Sequence, residues 1–62
     1  MFGFKTKNSY YYLSNQDHLI SGGKLGDKWH RYTKAEILIG SKAVIYLEDG
    51  RVLKTGVVEQ YL

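Results

Sequence analysis

The chain has 62 residues, a formal net charge of +3 and no cysteine. This length suits one domain, so we expect a single β domain over residues 1–62. Without cysteine the chain has no disulfide and no zinc site of the usual cysteine type, and two histidines are too few to hold a metal alone. We therefore expect no cofactor. In place of a covalent or metal staple we expect either dense packing of six Tyr, two Phe and one Trp or self-association of the chain.

The charge of the chain is uneven. Residues 1–34 carry six Lys or Arg and two acidic residues, whereas residues 35–62 carry three Lys or Arg and four acidic residues. A basic first half favours an anionic partner, and solubility alone is the other explanation. No stretch is apolar enough to span a bilayer, and the first residues lack a signal-peptide pattern, so we expect a cytoplasmic protein without a membrane partner.

Short runs of aromatic and β-branched residues between Gly, Asn, Asp and Ser predict strands along the chain. In order, these are residues 10–13, 18–21 and 28–32, then 36–39 as a strand or a turn leading into one, then 43–48, 51–55 and a closing strand at 57–62. Residues 22–27 are predicted as a mobile glycine-rich loop. The pattern predicts an all-β fold: a small five- to six-stranded barrel or a strongly bent antiparallel sheet, SH3-like in size.

The clearest turn signal is Asp49-Gly50 between two β-rich runs. Asp-Gly is typical of a two-residue type I′ hairpin, in which both turn residues have positive φ. That turn would place Glu48 opposite Arg51 and Leu47 opposite Val52, with opposite charges adjacent. Gly56 interrupts the second arm and predicts a bulge or bend.

Three segments support a family resemblance. The run Thr6-Lys7-Asn8-Ser9-Tyr10-Tyr11 resembles the Thr-x-Asn-Ser-x-Tyr start of a group of short bacterial and phage proteins. Gly26-Asp27-Lys28-Trp29 is similar to its Gly-Asp-x-Trp segment, and Thr55-Gly56-Val57-Val58 to its closing Thr-Ser-x-Val, with Gly where Ser is usual. The resemblance implies a small β fold and no established activity.

Alternation along the strand at residues 10–13 sorts the tyrosines into two faces. Leu13 marks the core face, which Tyr11 shares, so Tyr10 and Tyr12 are predicted to point outward. Trp29 and Arg31 share one face of the next candidate strand, and a lone Trp in a small domain is expected in the core. The candidate binding residues are aromatic or basic: Tyr10, Tyr12, Lys5, Lys7, Lys24, Lys28, Trp29 and Arg31.

No motif supports catalysis, since the chain has no phosphate-binding loop pattern and its acidic residues are expected on the solvent face. The sequence therefore predicts a non-enzymatic binding module. A protein partner is favoured, because exposed tyrosines are common interface anchors. The chain would then act as a phage-type inhibitor of a host system, or it would bind a second copy of itself. The alternative is nucleic acid, bound by tyrosines that stack bases and by the basic first half.

Overall fold

The computed structural model of the protein describes residues 2–62, which form seven strands and one 3-10 helix. The elements are β1 (Phe2–Lys5), β2 (Tyr10–Ser14), β3 (Leu19–Gly22), the 3-10 helix (Gly23–Leu25), β4 (His30–Glu36), β5 (Lys42–Leu47), β6 (Val52–Val57) and β7 (Gln60–Tyr61). All neighbouring strands are antiparallel, in the order β6-β5-β4-β3-β2-β1-β7. The predicted all-β class is confirmed as one strongly bent sheet that does not close.

The sheet bends because the end of the chain changes partner. The strand β6 pairs with β5 at one edge, and β7 then pairs with β1 at the opposite edge. The register of β5 and β6 shifts by one residue, so Thr55 and Gly56 together oppose Ala43. The Thr55 hydroxyl accepts the Ala43 N–H at 3.1 Å and donates to the Gly56 carbonyl at 2.7 Å. The bulge predicted at Gly56 is confirmed, and it adds the local bend that bulged strands acquire.

The core lies on the concave face of the bent sheet. Phe4 and Tyr11 face each other across β1 and β2, and their rings stack with centroids 5.0 Å apart. Burying each large apolar side chain contributes about 1.5–3 kcal/mol. The buried apolar residues come from β1 to β5 and from the crossing between β6 and β7: Phe4, Tyr11, Leu13, Ile20, Tyr32, Ala43, Ile45, Leu47 and Val58.

The β5–β6 hairpin occurs where the sequence predicts it, but its predicted register is wrong. Tyr46 faces Val52, and the Leu47 N–H donates to the Arg51 carbonyl at 2.9 Å. The loop therefore has three residues, 48–50, and the Gly50 N–H closes a turn on the Leu47 carbonyl at 3.1 Å. Gly50 has a φ of 96° and Asp49 does not have positive φ. Such a turn needs only one left-handed residue, so Asp-Gly suits it as well as a type I′ turn.

The Asp49 carboxylate stabilises this loop instead of the predicted Glu48–Arg51 pair. It accepts the Arg51 backbone N–H at 3.0 Å and its guanidinium Nε–H at 2.7 Å. These two hydrogen bonds lower the pKa of the Asp49 carboxyl below its usual value.

Three other predicted boundaries are corrected. The strand predicted at 28–32 begins at His30 and continues to Glu36 as β4, with a bulge at Thr33, whose hydroxyl donates to the Tyr46 carbonyl at 3.3 Å. The separate strand predicted at 36–39 is wrong, because only its first residue belongs to a strand. Residues 37–41 form the loop that follows, where Ile39 makes an isolated bridge to Val58. The glycine-rich segment predicted as a mobile loop contains the 3-10 helix, and its Gly22 N–H donates to the Gly26 carbonyl. The strand β1 had no strand prediction.

Among the described residues, the only helix has three residues, which is far too short to cross a bilayer.

Candidate binding surface

The strand β2 separates its tyrosines as the alternation predicts. Tyr11 and Leu13 are buried in the core, whereas Tyr10 is 49% exposed and Tyr12 is 43% exposed on the convex face. The assignment of faces is therefore confirmed. Any role of Tyr10 and Tyr12 in binding stays a prediction.

The convex face continues across the strands on either side of β2. On β1, Gly3 faces Tyr12, and a Cβ atom built on Gly3 would lie 3.2 Å from Leu62 Cδ1. Leu62 therefore lies over Gly3 and beside Tyr12. On β3, Ser21 faces Tyr12 from the other side.

Trp29 extends this row of side chains. Ile20 faces His30 at the last pair of the β3–β4 register, and Trp29 directly precedes β4. Continuing that register by one residue aligns Trp29 with Ser21. Tyr12 and Trp29 are then two strands, roughly 10 Å, apart, with the small side chain of Ser21 between them. We call Tyr10, Tyr12, Trp29 and Leu62 the aromatic face.

The expectation that Trp29 lies in the core is wrong, because it is 45% exposed. The alternation predicted for this segment is correct, but the core face is the one that carries His30 and Tyr32, not the one that carries Trp29. Tyr32 is buried and His30 is half-buried. Tyr32 takes the core position because it faces Leu47 on β5. Its hydroxyl donates to Asn15 Oδ1 at 3.2 Å, so the buried ring keeps a polar partner.

The cations predicted to surround the tyrosines differ in their surroundings. Lys5 faces Tyr10 on β1, with Nζ 5.9 Å from the ring centroid and 3.1 Å from Glu59 Oε1. Its charge is therefore already paired. Arg31 is exposed on β4 opposite Leu19 and forms no ion pair within residues 2–62. Lys28 is exposed in the turn before β4.

Lys7 and Lys24 lie together, away from the aromatic face. They line a cleft of about 250 Å³ between the β1–β2 turn, the 3-10 helix and β6. We call it the lysine cleft; its lining residues are Thr6, Lys7, Asn8, Ser9, Tyr11, Lys24 and Gly56. Lys24 Nζ donates to the Lys54 carbonyl on β6 at 3.0 Å.

Residues 6–11, the first segment of the family resemblance, form the β1–β2 turn and the start of β2 at this corner of the fold. The Thr6 N–H donates to the Ser9 carbonyl at 2.9 Å and closes the β1–β2 turn. Tyr11 spans the core, and its hydroxyl accepts the Lys24 N–H at 3.1 Å. Gly56 lies beside Thr6, and a Cβ atom there would be 3.5 Å from Thr6 Cβ, an ordinary contact that also suits serine.

Sequence reasoning missed a groove that has a volume of about 490 Å³. Its apolar lining includes Phe2, Leu13, Tyr32 and Ile37, from β1, β2, β4 and the loop after β4. His18 lines its rim with its ring centroid 5.6 Å from that of Tyr32. No local pattern could show this groove, because its walls are brought together only by the bend of the sheet.

Within residues 2–62, no three His, Cys, Asp or Glu side chains come together as metal ligands. Asp17 and Ser14 form the one contact between a hydroxyl and a carboxylate in this part of the chain, at 3.4 Å on an exposed turn.

Comparison with protein-family models, with curated proteins and with solved structures finds no match for this chain.

Proposed function

We propose that this protein is a non-catalytic binding module that docks a protein partner on its aromatic face. The observation that supports it best is the exposure of Tyr10, Tyr12, Trp29 and Leu62, each 43–51% exposed on one convex surface. Three half-exposed aromatic side chains of roughly 200 Å² each present on the order of 300 Å² of largely apolar surface. Patches of about this size on a monomer commonly mark interaction sites.

The composition of the surface suits the centre of a protein interface. Tyr, Trp and Arg are the residues enriched at such centres, and Arg31 lies on the same convex face. A standard interface covers about 800 Å² on each partner, so the aromatic face would be its centre. Polar residues beside it, such as Gln60 opposite Lys5, supply the solvated rim.

A protein partner is favoured over nucleic acid because the cations and the aromatic residues are separated. Binding a nucleic acid strand combines stacked aromatic rings with a basic groove that follows the backbone. Here Lys5 is paired with Glu59, and Lys7 and Lys24 line a different surface. Arg31 and Lys28 are the predicted binding cations that remain on or near the convex face.

Site-specific photocrosslinking tests the proposal. A photoreactive phenylalanine analogue at Tyr12 should give a discrete crosslinked protein in cells, identified by mass spectrometry, and Trp29→Ser should abolish it. The matched control carries the analogue at Tyr46, a half-buried tyrosine on the convex side of β5, and should not give that product. Sedimentation equilibrium shows whether the partner is a second copy.

Two results would overturn the proposal. One is a crosslink at Tyr12 that persists in the Trp29→Ser background. The other is retention of an oligonucleotide in a gel shift that weakens steeply with salt, which would identify a nucleic acid partner through counterion release.

The proposal includes a cytoplasmic location and the hypothesis of a phage-type inhibitor of a host protein. A cysteine-free chain is compatible with a reducing compartment. Cell fractionation tests the location, and the identity of the crosslinked protein tests the inhibitor hypothesis.

A further inference from the structure

We propose that the lysine cleft is a binding site for a phosphate group. The cleft lies on a different surface from the aromatic face, and the proposal does not depend on the function of that face. Its walls come from three separate parts of the chain: the β1–β2 turn, the 3-10 helix and β6. A volume of about 250 Å³ leaves room for a small anion and for part of the molecule that carries it.

The charge of the cleft is positive and uncompensated. Two lysines, Lys7 and Lys24, belong to its lining, and no acidic residue does. Three other cations of the chain have a carboxylate oxygen within 3.3 Å: Lys5, Lys34 and Arg51. Neither Lys7 nor Lys24 forms an ion pair within residues 2–62. Lysine binds phosphate as a point charge, and a phosphate monoester carries about −1.5 to −2 at pH 7, which matches the two ammonium groups.

The cleft also contains oriented hydrogen-bond donors. The Tyr11 phenol is buried, with the residue only 1% exposed, and its oxygen accepts the Lys24 N–H at 3.1 Å. Its own proton has no protein acceptor in the described part of the chain. Lys24 Nζ donates to the Lys54 carbonyl at 3.0 Å, which holds the ammonium beside β6. Two of its three hydrogens remain able to donate to an anion. Ser9, another residue of the lining, carries a hydroxyl.

These donors converge because the fold places them, since Lys7 and Lys24 are far apart in sequence. The Tyr11 ring reaches across the core from β2 and fixes the 3-10 helix through the Lys24 N–H. Thr6 and Ser9 close the turn that carries Lys7. The turn, the 3-10 helix and the Lys24 ammonium are therefore held in place before an anion binds, and the anion would have to order only the exposed Lys7 side chain.

The test is an NMR titration of the isolated protein with inorganic phosphate at constant ionic strength, balanced with chloride. We expect saturable shifts of the backbone amides of Lys7, Asn8, Ser9 and Lys24, without comparable shifts at Tyr12. Losing one charge-assisted hydrogen bond weakens binding about tenfold or more, so Lys7→Met and Lys24→Met should each weaken phosphate binding by about that factor. The matched control is Lys42→Met, an exposed lysine at the start of β5, which should bind as the unsubstituted protein does.

Two further arms identify the source of the phosphate group. A phosphoserine peptide and a nucleoside 5′-monophosphate are titrated separately, and the tighter ligand shows whether the group is carried by a protein or by a nucleotide. Acetate is the comparison for carboxylates and should bind more weakly than phosphate.

The proposal is overturned if phosphate gives no saturable shifts at the cleft, if acetate binds as tightly, or if Lys42→Met weakens binding as much as Lys24→Met. Because all these titrations use the isolated chain, a negative result leaves the crosslinking test of the aromatic face unaffected.

Discussion

Substitution of neighbouring tyrosines on β2 should have opposite consequences for stability and for binding. Tyr11→Ala removes a buried ring that stacks on Phe4 with centroids 5.0 Å apart. Truncating a buried aromatic residue costs about 3–5 kcal/mol, and losing the stacked pair costs a further ~0.5–1.5 kcal/mol. Small domains have about 0.05–0.15 kcal/mol of stability per residue, which is roughly 3–9 kcal/mol for this chain. Tyr11→Ala should therefore remove most or all of the free energy of unfolding.

Tyr11→Phe isolates the role of the hydroxyl. It retains the stacked ring but removes the acceptor of the Lys24 N–H. Leaving a polar group unsatisfied costs ~1–3 kcal/mol, and we expect the lower end because Lys24 is exposed and its N–H can reach water.

Tyr12→Ala provides the matched comparison one residue away. Its ring is 43% exposed, and surface substitutions usually change stability by about 0.5 kcal/mol or less. Urea unfolding followed by tryptophan fluorescence and circular dichroism gives the free energy of unfolding of all three variants. If Tyr11→Ala unfolds at the same urea concentration as Tyr12→Ala, the assignment of the two faces is refuted.

Three other predictions concern the turns and the sheet register. Gly23→Ala should prevent stable folding, because φ is +48° and the new Cβ would overlap the buried ring of Tyr11. In contrast, Gly56→Ala should change the melting temperature little. Folding lowers the pKa of the Asp49 carboxyl, so its ionised form stabilises the folded protein at pH values above its pKa in the unfolded chain, about 3.9. This contribution is lost as the pH falls through the pKa of Asp49 in the folded protein. Asp49→Asn should therefore flatten the acid limb of thermal stability measured against pH, and an unchanged limb would contradict this. Cysteines introduced as Tyr46→Cys and Val52→Cys should form a disulfide detected by mass shift, because these residues face each other directly.

The sequence predicts the faces of β2 correctly because the information is local. Leu13 identifies the core face, and a strand period of two residues then assigns Tyr10, Tyr11 and Tyr12. The same reasoning locates the bulge at Gly56. Both features depend on a few adjacent residues and need no knowledge of strand pairing.

Features that depend on pairing between distant residues could not be predicted in the same way. Asp49-Gly50 fits either a two- or a three-residue loop, and the one-residue difference moves Val52 from the core face to the convex face. Trp29 has a hydrophobicity typical of core residues, and only the position of Tyr32 opposite Leu47 decides which face is buried. Lys7 and Lys24 line the same cleft only because β1, β2 and β3 pair with one another.

The two halves of the sheet can be compared by the exposure of the aromatic residues on their convex sides. The convex side of β4–β6 and that of β1–β3 both lie behind the same core. On β4–β6, Lys34 Nζ lies 5.7 Å from the Tyr46 ring centroid and 3.3 Å from Glu36 Oε2, and Tyr46 is half-buried. A convex face can therefore shield its tyrosine within this fold. On β2, Tyr10 has a similar charged pair beside it, with Lys5 Nζ 5.9 Å from its ring centroid and 3.1 Å from Glu59 Oε1, yet it is 49% exposed. Tyr12 and Trp29 are 43% and 45% exposed. Exposure of tyrosine is therefore not uniform on the convex side of this sheet, and a partner docked on the aromatic face, as we propose, would cover Tyr10, Tyr12 and Trp29.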